Sequence, residues 1–310
     1  MRAERRSPHF PLGGWVAFRE AWLDRIAGVR PGDVLNPAVY GLEAVPALAV
    51  AAGLKRVGNR LKAEVVDASG RRVDCRRLRA NPAYAELRAV WTPRLCGLDL
   101  DGLETREART AFWINVYHTL AIDAVIAFGL ERTRVRSGWD LLRFFRRAAY
   151  RVGRYRYSLE DIEHGLLRAN RGSPFLPGPQ FGPGDHRRRY ALAAVDPRVH
   201  FTLNCGSRSC PPIGVYDPEG LDAQLEVAAA SFVREEVRLD PGRRRVLLSP
   251  LFRWYLGDFG GRAGLVRFLL RYLPEGEARD WFAQNHLRLR WRFTRYDWGV
   301  NVWGAAEPVA

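Results

Sequence analysis

Lysine is nearly missing from this chain of 310 residues. Lys55 and Lys62 are the only two, so arginine supplies almost all of a formal net charge of +15. Such a balance first raises nucleic-acid binding. The basic clusters, however, are short and scattered, at Arg71-Arg72, Arg146-Arg147, 187–189 and 243–245, and none interleaves with a motif of a nucleic-acid-binding fold. No specific nucleic-acid partner is therefore expected, and the arginine bias reads as the imprint of a GC-rich coding sequence on a surface. Cysteine is sparse as well, with Cys75, Cys96, Cys205 and Cys210 alone. That density excludes a disulfide-stapled secreted scaffold. Apolar runs are short: the stretch 45–54 is interrupted and too brief to cross a bilayer. The N-terminal MRAERRSPHFPLGGWVAF has charge but no long apolar segment of the signal-peptide kind. Together these absences make the cytoplasm, with reduced thiols and no transmembrane segment, the expected setting.

Motifs are missing too. No G-x-G-x-x-G, Walker A, H-E-x-x-H or G-x-S-x-G occurs, so nucleotide, zinc-protease and serine-hydrolase readings lose their usual support. Internal repeats and long linkers are absent. The C-x4-C spacing of Cys205 and Cys210 is loose for a metal and no second cysteine pair follows, so neither a metal nor another cofactor is expected.

What is present is a substantial supply of core-forming residues. The chain is 47% hydrophobic with ten Trp and fifteen Phe, enough large rings to offset ordering entropy. Helical spacing of apolar residues marks 15–27, 47–57, 81–91, 221–233 and 265–272. A short hairpin is expected at 63–74, a strand or hairpin at 150–157 with Gly153 near its turn, and strands at 189–195, 199–204, 244–248 and 287–293. Ser158 followed three residues later by Asp161 sits where a helix cap belongs, ahead of Ile162 to Arg168. Elements of both kinds are interspersed, which favours an α+β fold with a small, mostly antiparallel or mixed sheet in a single compact domain.

Three features point to chemistry. The segment EARTAFWINVYHTLAIDAVIAF, 107–128, is apolar nearly all round, yet Asn115, His118, Thr119 and Asp123 share one stripe of it. Buried polar groups need partners, so the stripe faces a polar cavity, another polar element or a solvent seam. Glu163-His164 sits in the short helix after Ser158. The segment HFTLNCGSRSCPPI, 200–213, ends an expected strand in a cysteine followed by a glycine. Free N–H groups in such a turn can stabilise a thiolate or an oxyanion, and Arg208 would lower a neighbouring thiol's pKa. On an extended strand His200 lies about 16 Å from Cys205 and on the opposite face. The base for Cys205 is then sought in His164 or His118. The bland readings stand beside these: a buried cysteine is often a small hydrophobe, and a buried histidine is often structural.

The blocks AFWINVYHTLAIDAVI, YSLEDIEHGLLR, DPRVHFTLNCGSRSCPPIGVYDPEGLDAQL, LFRWYLGDFG and YDWGVN, in that order, resemble the family catalogued as domain of unknown function 547. The resemblance covers 83–301. It divides the chain into a mainly helical N-terminal extension, 1–80, a domain, 81–303, and a tail, 304–310. It carries over Asn115, Glu163, His164, Asp196, His200, Asn204, Cys205, Ser209, Cys210, Asp258, Asp297 and Asn301 as motif residues, and implies a site without naming a reaction. Where relatives usually have Tyr-Asn, this chain has Tyr117-His118, which moves the expected base to His164.

Two functions are expected from this. One is a cysteine-dependent hydrolase or acyl transferase acting on a small-molecule or peptide substrate. Cys205 is its nucleophile, His164 its base, Glu163, Asp297 or Asn115 the orienting partner, and the Gly206 and Ser207 N–H groups its oxyanion hole. The other is a non-catalytic ligand-binding or interaction module. In that case His118, His200, Asn204, Ser207, Arg208, Ser209, Cys210, Asp258 and Asn301 form a polar network that fixes the fold or lines a ligand pocket.

Overall fold

The longest helix, Arg106–Ala127, organises the molecule. The Thr105 side chain accepts the Ala108 N–H at 3.0 Å to start it, and its apolar circumference is buried along nearly its whole length. It is also the one described helix long and apolar enough to cross a membrane by composition, but most of it is enclosed by the rest of the protein, as a core helix is. The computed structural model describes residues 12–30, 32–36, 45–130 and 137–303. The N-terminal stretch 1–11 and the expected tail, 304–310, lie outside the described residues.

Helix Ala47–Val65, entered through Pro46, packs its Val50, Leu54, Val57 and Leu61 face into the same core as the long helix. It runs eight residues past the expected end at Val57, so the first strand of the expected 63–74 hairpin is mostly helical. A single bridge, Val66 to Val73, survives of that hairpin. Helix Leu12–Ala27 lies against helix Gly138–Arg147, which opens on a reciprocal Ser137–Asp140 cap.

The strands form three small sheets. Strand β1 (Val73–Asp74) pairs in parallel with β7 (Val302–Trp303). Strands β2 (Ala149–Val152) and β3 (Tyr155–Ser158) make an antiparallel hairpin turned by Gly153 at φ +57°, as the sequence indicates. Strand β5 (Arg245–Leu248) pairs antiparallel with β4 (Arg238–Asp240) and parallel with β6 (Arg290–Phe293). The fold is α+β with mixed small sheets, in one compact domain.

Two expected strands are not strands. The chain makes 3-10 turns at His186–Tyr190 and Pro197–Phe201 instead. At the second, the Asp196 side chain accepts the Arg198 N–H at 3.0 Å with Pro197 in the first position. That is how a helical turn begins. The apolar alternation that suggested a strand has another cause. Val199 and Leu203 belong to the core around the long helix, whereas Phe201 belongs to a second core of Phe232, Phe252 and Phe259. The segment is buried on both sides because it lies between two cores, and it carries Cys205 out of that junction.

Candidate functional site

The turn after Leu203 is tied at both ends. The Asn204 side chain accepts the Gly206 N–H at 2.8 Å and donates to the Pro211 carbonyl at 2.7 Å, so one amide holds the loop closed. Gly206 has φ +91°, a left-handed conformation that an L side chain adopts only with strain. Segment 297–301 then laces the outside of the loop. Arg208 N–H donates to the Gly299 carbonyl, Asn301 N–H to the Gly206 carbonyl, and Asp297 N–H to Ser209 Oγ.

This clasp sets the Cys205 and Cys210 sulfurs 3.1 Å apart. Cys210 is fully buried and Cys205 only partly. The Cys210 sulfur also receives the Cys205 N–H at 3.3 Å, with Ser207 Oγ at 3.1 Å and the Tyr296 hydroxyl at 3.4 Å. Burial pushes the Cys210 thiol up, but these donors outweigh it and hold it below its ordinary value. The hydrogen bond to Cys210, together with burial, pushes Cys205 up in turn. The two sulfurs therefore act as one unit that gives up its first proton readily and its second reluctantly, with the charge centred on Cys210.

Both sulfurs line a cavity of about 40 Å³ that is shared with Glu163, His200, Tyr255 and Tyr296. Glu163 comes from a π-helical turn, Asp161–Leu167, that follows the expected Ser158–Asp161 cap. Its carboxylate accepts the hydroxyls of Tyr117 and Tyr255. Burial raises its pKa, but His164 and the two hydroxyls prevail and keep it ionised. His200 stacks on Tyr255 with ring centres 3.8 Å apart, and its Nε2 lies 2.9 Å from Asp258 Oδ2. An ionised carboxylate only accepts, so Nε2 carries the proton and Nδ1 is left as a bare acceptor. That Nδ1 is buried and has no partner. Arg168 completes the arrangement by gripping Asp258 with two nitrogens, at 2.6 and 3.2 Å.

Several expected site residues lie elsewhere. His164 is buried behind the cavity, with Nδ1 3.3 Å from Arg168, and burial lowers its pKa to about 4. His118 sits between the carbonyls of Gly214 and Thr202, 3.0 and 2.7 Å from its two nitrogens, and burial lowers its pKa to about 4 as well. Asn115 makes a two-bond clasp with the Tyr216 backbone. These two line a separate small cavity under helix Ala47–Val65, away from the sulfurs. Asn204 and Asn301 line a third. Arg208 and Asp297 are exposed and face each other at 3.6 Å. The expected oxyanion donors are also committed, since Gly206 N–H goes to Asn204 and Ser207 N–H to the Cys205 sulfur. Among the described residues no group of three His, Cys, Asp or Glu side chains is arranged to hold a metal ion.

Sequence reasoning missed Tyr117 and Arg168, and gave Tyr255 only as an aromatic wall of a ligand pocket and not as a partner of Glu163. Arg168 stands four residues after His164 on one helical face, a spacing that pairs them, but nothing in the chain marks its grip on Asp258. The two tyrosines look like ordinary core aromatics until Glu163 is placed between them.

Residues 100–233 match the model of the family described as "Protein of unknown function, DUF547", which is the family the sequence blocks resemble. The matched segment is 134 of the 310 residues. It contains the long helix, the π-helical turn and both sulfurs. Tyr255, Asp258 and Tyr296, which complete the site, follow the matched stretch. No curated protein and no solved structure matches the chain.

The coupled thiols make a measurable forecast. Alkylation of the reduced pair by iodoacetamide should rise with pH through an inflection below that of a free thiol, about 8.5. Tyr296→Phe removes a donor to the thiolate and should move the inflection upward. An inflection at the free-thiol value, unmoved by the substitution, would contradict the geometry.

Proposed function

We propose that this protein is a cysteine-dependent hydrolase or acyl transferase with Cys205 as its nucleophile. The observation that carries this reading is the pair of sulfurs at 3.1 Å in a cavity shared with an unpartnered histidine nitrogen. Cys205 is the more accessible sulfur. Its thiol proton already faces Cys210, whose charge can accept it as Cys205 attacks an acyl carbonyl carbon. The tetrahedral adduct then expels an alcohol, amine or thiol, leaving an acyl group on Cys205. Water, or a second acceptor in a transferase, resolves that acyl group. His200 is the better-placed base for this second step than His164. It lines the cavity, Asp258 fixes its tautomer, and its Nδ1 lone pair is unengaged. Glu163, held by two tyrosines, keeps negative charge beside the imidazole and favours the imidazolium that forms.

The alternative of a structural polar network is favoured for Asn115, His118 and Asn204, because each spends its polar atoms on backbone groups. Asn204 and His118 hold the cysteine loop and the turn before it, and Asn115 holds the chain beyond it at Tyr216.

Labelling of the reduced protein with a small activated ester or with chloroacetamide tests the proposal. Cys205 should react at least tenfold faster than a free thiol at pH 7, Cys205→Ala should abolish the label, and His200→Gln should slow release of an acyl label with less effect on its formation. Labelling no faster than that of glutathione, or label spread over Cys75 and Cys96, would sink the reading.

A further inference from the structure

We infer that Cys205 and Cys210 form a reversible dithiol–disulfide switch whose oxidant is a hydroperoxide of the size of hydrogen peroxide. Three independent observations lead there. The sulfurs are 3.1 Å apart, so closing to a bond of about 2.05 Å needs about 1 Å of combined movement. The loop between them is already drawn shut by Asn204, which bridges the Gly206 N–H and the Pro211 carbonyl, and by the Cys210 N–H donating to the Ser207 carbonyl at 3.1 Å. The main chain therefore has little to rearrange. The space that both sulfurs face is about 40 Å³, room for one or two molecules of water size. Aromatic rings wall it, with Trp254 and Trp298 stacked 5.6 Å apart and Tyr296 packed on both. A peroxide fits such a space.

The chemistry balances without help from outside the named reactants. The Cys210 thiolate attacks one peroxide oxygen; an S–O bond forms, the O–O bond breaks and hydroxide leaves. That hydroxide takes up the proton that ionisation of Cys210 released to solvent and leaves as the first water, while the Ser207 and Tyr296 hydroxyls, 3.1 and 3.4 Å from the Cys210 sulfur, hold the thiolate before attack. The Cys205 thiol, losing its proton, then attacks the Cys210 sulfenic sulfur and expels the second hydroxide as water. The sum is two thiols and one hydrogen peroxide giving one disulfide and two waters. A dithiol reductant returns the two electrons and two protons. Formation of the disulfide stands on geometry alone. Its consequence, that oxidation turns the protein off by consuming the nucleophile, rests on the function proposed above.

Trypsin makes the test direct, because Arg208 lies between the two cysteines. Cleavage puts Cys205 in peptide 199–208 and Cys210 in peptide 209–234, so their disulfide joins two peptides that are otherwise separate. The full-length reduced protein is treated with one to five equivalents of hydrogen peroxide, alkylated and digested. The expected result is the joined pair, a loss of two hydrogens in intact mass, a drop of at least tenfold in Cys205 alkylation, and full recovery with dithiothreitol. Cys210→Ser should form no joined pair while Cys205 stays alkylatable. Separate peptides carrying sulfinic acid or unmodified thiols, or a link to Cys75 or Cys96, would overturn the switch. The wild-type digest decides the matter even if the variant fails to fold. The two proposals separate cleanly. Fast ester labelling with no joined peptides keeps the nucleophile and removes the switch. Joined peptides with no labelling above a free thiol keep the disulfide and remove the hydrolase.

Discussion

Replacing Asp258 with alanine is expected to destabilise the protein by about 3–5 kcal/mol, the range for removing one partner of a buried charge pair. The Asp258 carboxylate collects Arg168 at 2.6 and 3.2 Å, Arg171 at 3.0 Å and His200 Nε2 at 2.9 Å. Arg168 and His200 are themselves buried, so the substitution strands a guanidinium and an imidazole N–H that water cannot reach. Burial raises the Asp258 pKa, but its hydrogen bonds to His200 and Arg168 more than reverse this and place it far below the ordinary carboxylate range. A depressed carboxylate stabilises the fold above its unfolded pKa, and that stability is lost as pH falls through the folded one. The difference between wild type and Asp258→Ala should therefore be full at neutral pH and shrink in strong acid. Urea denaturation at pH 7 should show the full difference and at pH 3 the beginning of its loss. A loss below about 1 kcal/mol at pH 7 would show that Arg168 and His200 find other partners. At temperatures where the variant stays folded, His200 should lose its fixed tautomer, and release of an acyl label should slow while labelling of Cys205 persists.

The route by which Asp258 reaches the site shows what the sequence could and could not reveal. Ser158 and Asp161 could be read directly, because a cap depends only on residues three apart, and the structure has the reciprocal bonds. Gly153 could be read for the same local reason. The cysteine loop was marked by its own turn residues and by the blocks it shares with a family. The placing of His200 on the face opposite Cys205 needs an extended backbone, which the chain does not have there. Aspartate before proline is the start of a helical turn as readily as a turn between strands, and the two cores on either side supply the misleading alternation. In the 3-10 turn His200 and Cys205 come to the same cavity. The stacking of His200 on Tyr255 and the salt bridge from Arg168 to Asp258 join residues 55 or more positions apart. Contacts of that range leave no periodicity in the chain, so the surroundings of His200 could be found only in three dimensions.

Asp123 separates the residues that build the fold from those that could do chemistry, and its replacement by alanine should be as damaging as that of Asp258. Its carboxylate is completely buried on the long helix. It accepts the Tyr84 hydroxyl at 2.7 Å, the Tyr150 hydroxyl at 2.9 Å, and Arg88 Nη1 at 2.7 and 2.8 Å. One side chain thus ties the helix to the segment before it and to strand β2. Asp123→Ala leaves two buried hydroxyls and a half-buried guanidinium without their acceptor, at a cost of about 3–5 kcal/mol. Tyr84→Phe or Tyr150→Phe removes one donor from a carboxylate that keeps others, and should cost about 1–2 kcal/mol. Denaturant titration of the three variants checks the order. Because Asp123 does not line the sulfur cavity, the folded fraction of each variant should alkylate Cys205 at the wild-type rate. A slowed rate in folded Asp123→Ala would instead mean that the stripe on the long helix, which holds Asn115 and His118 against the cysteine loop, transmits its position to the sulfurs.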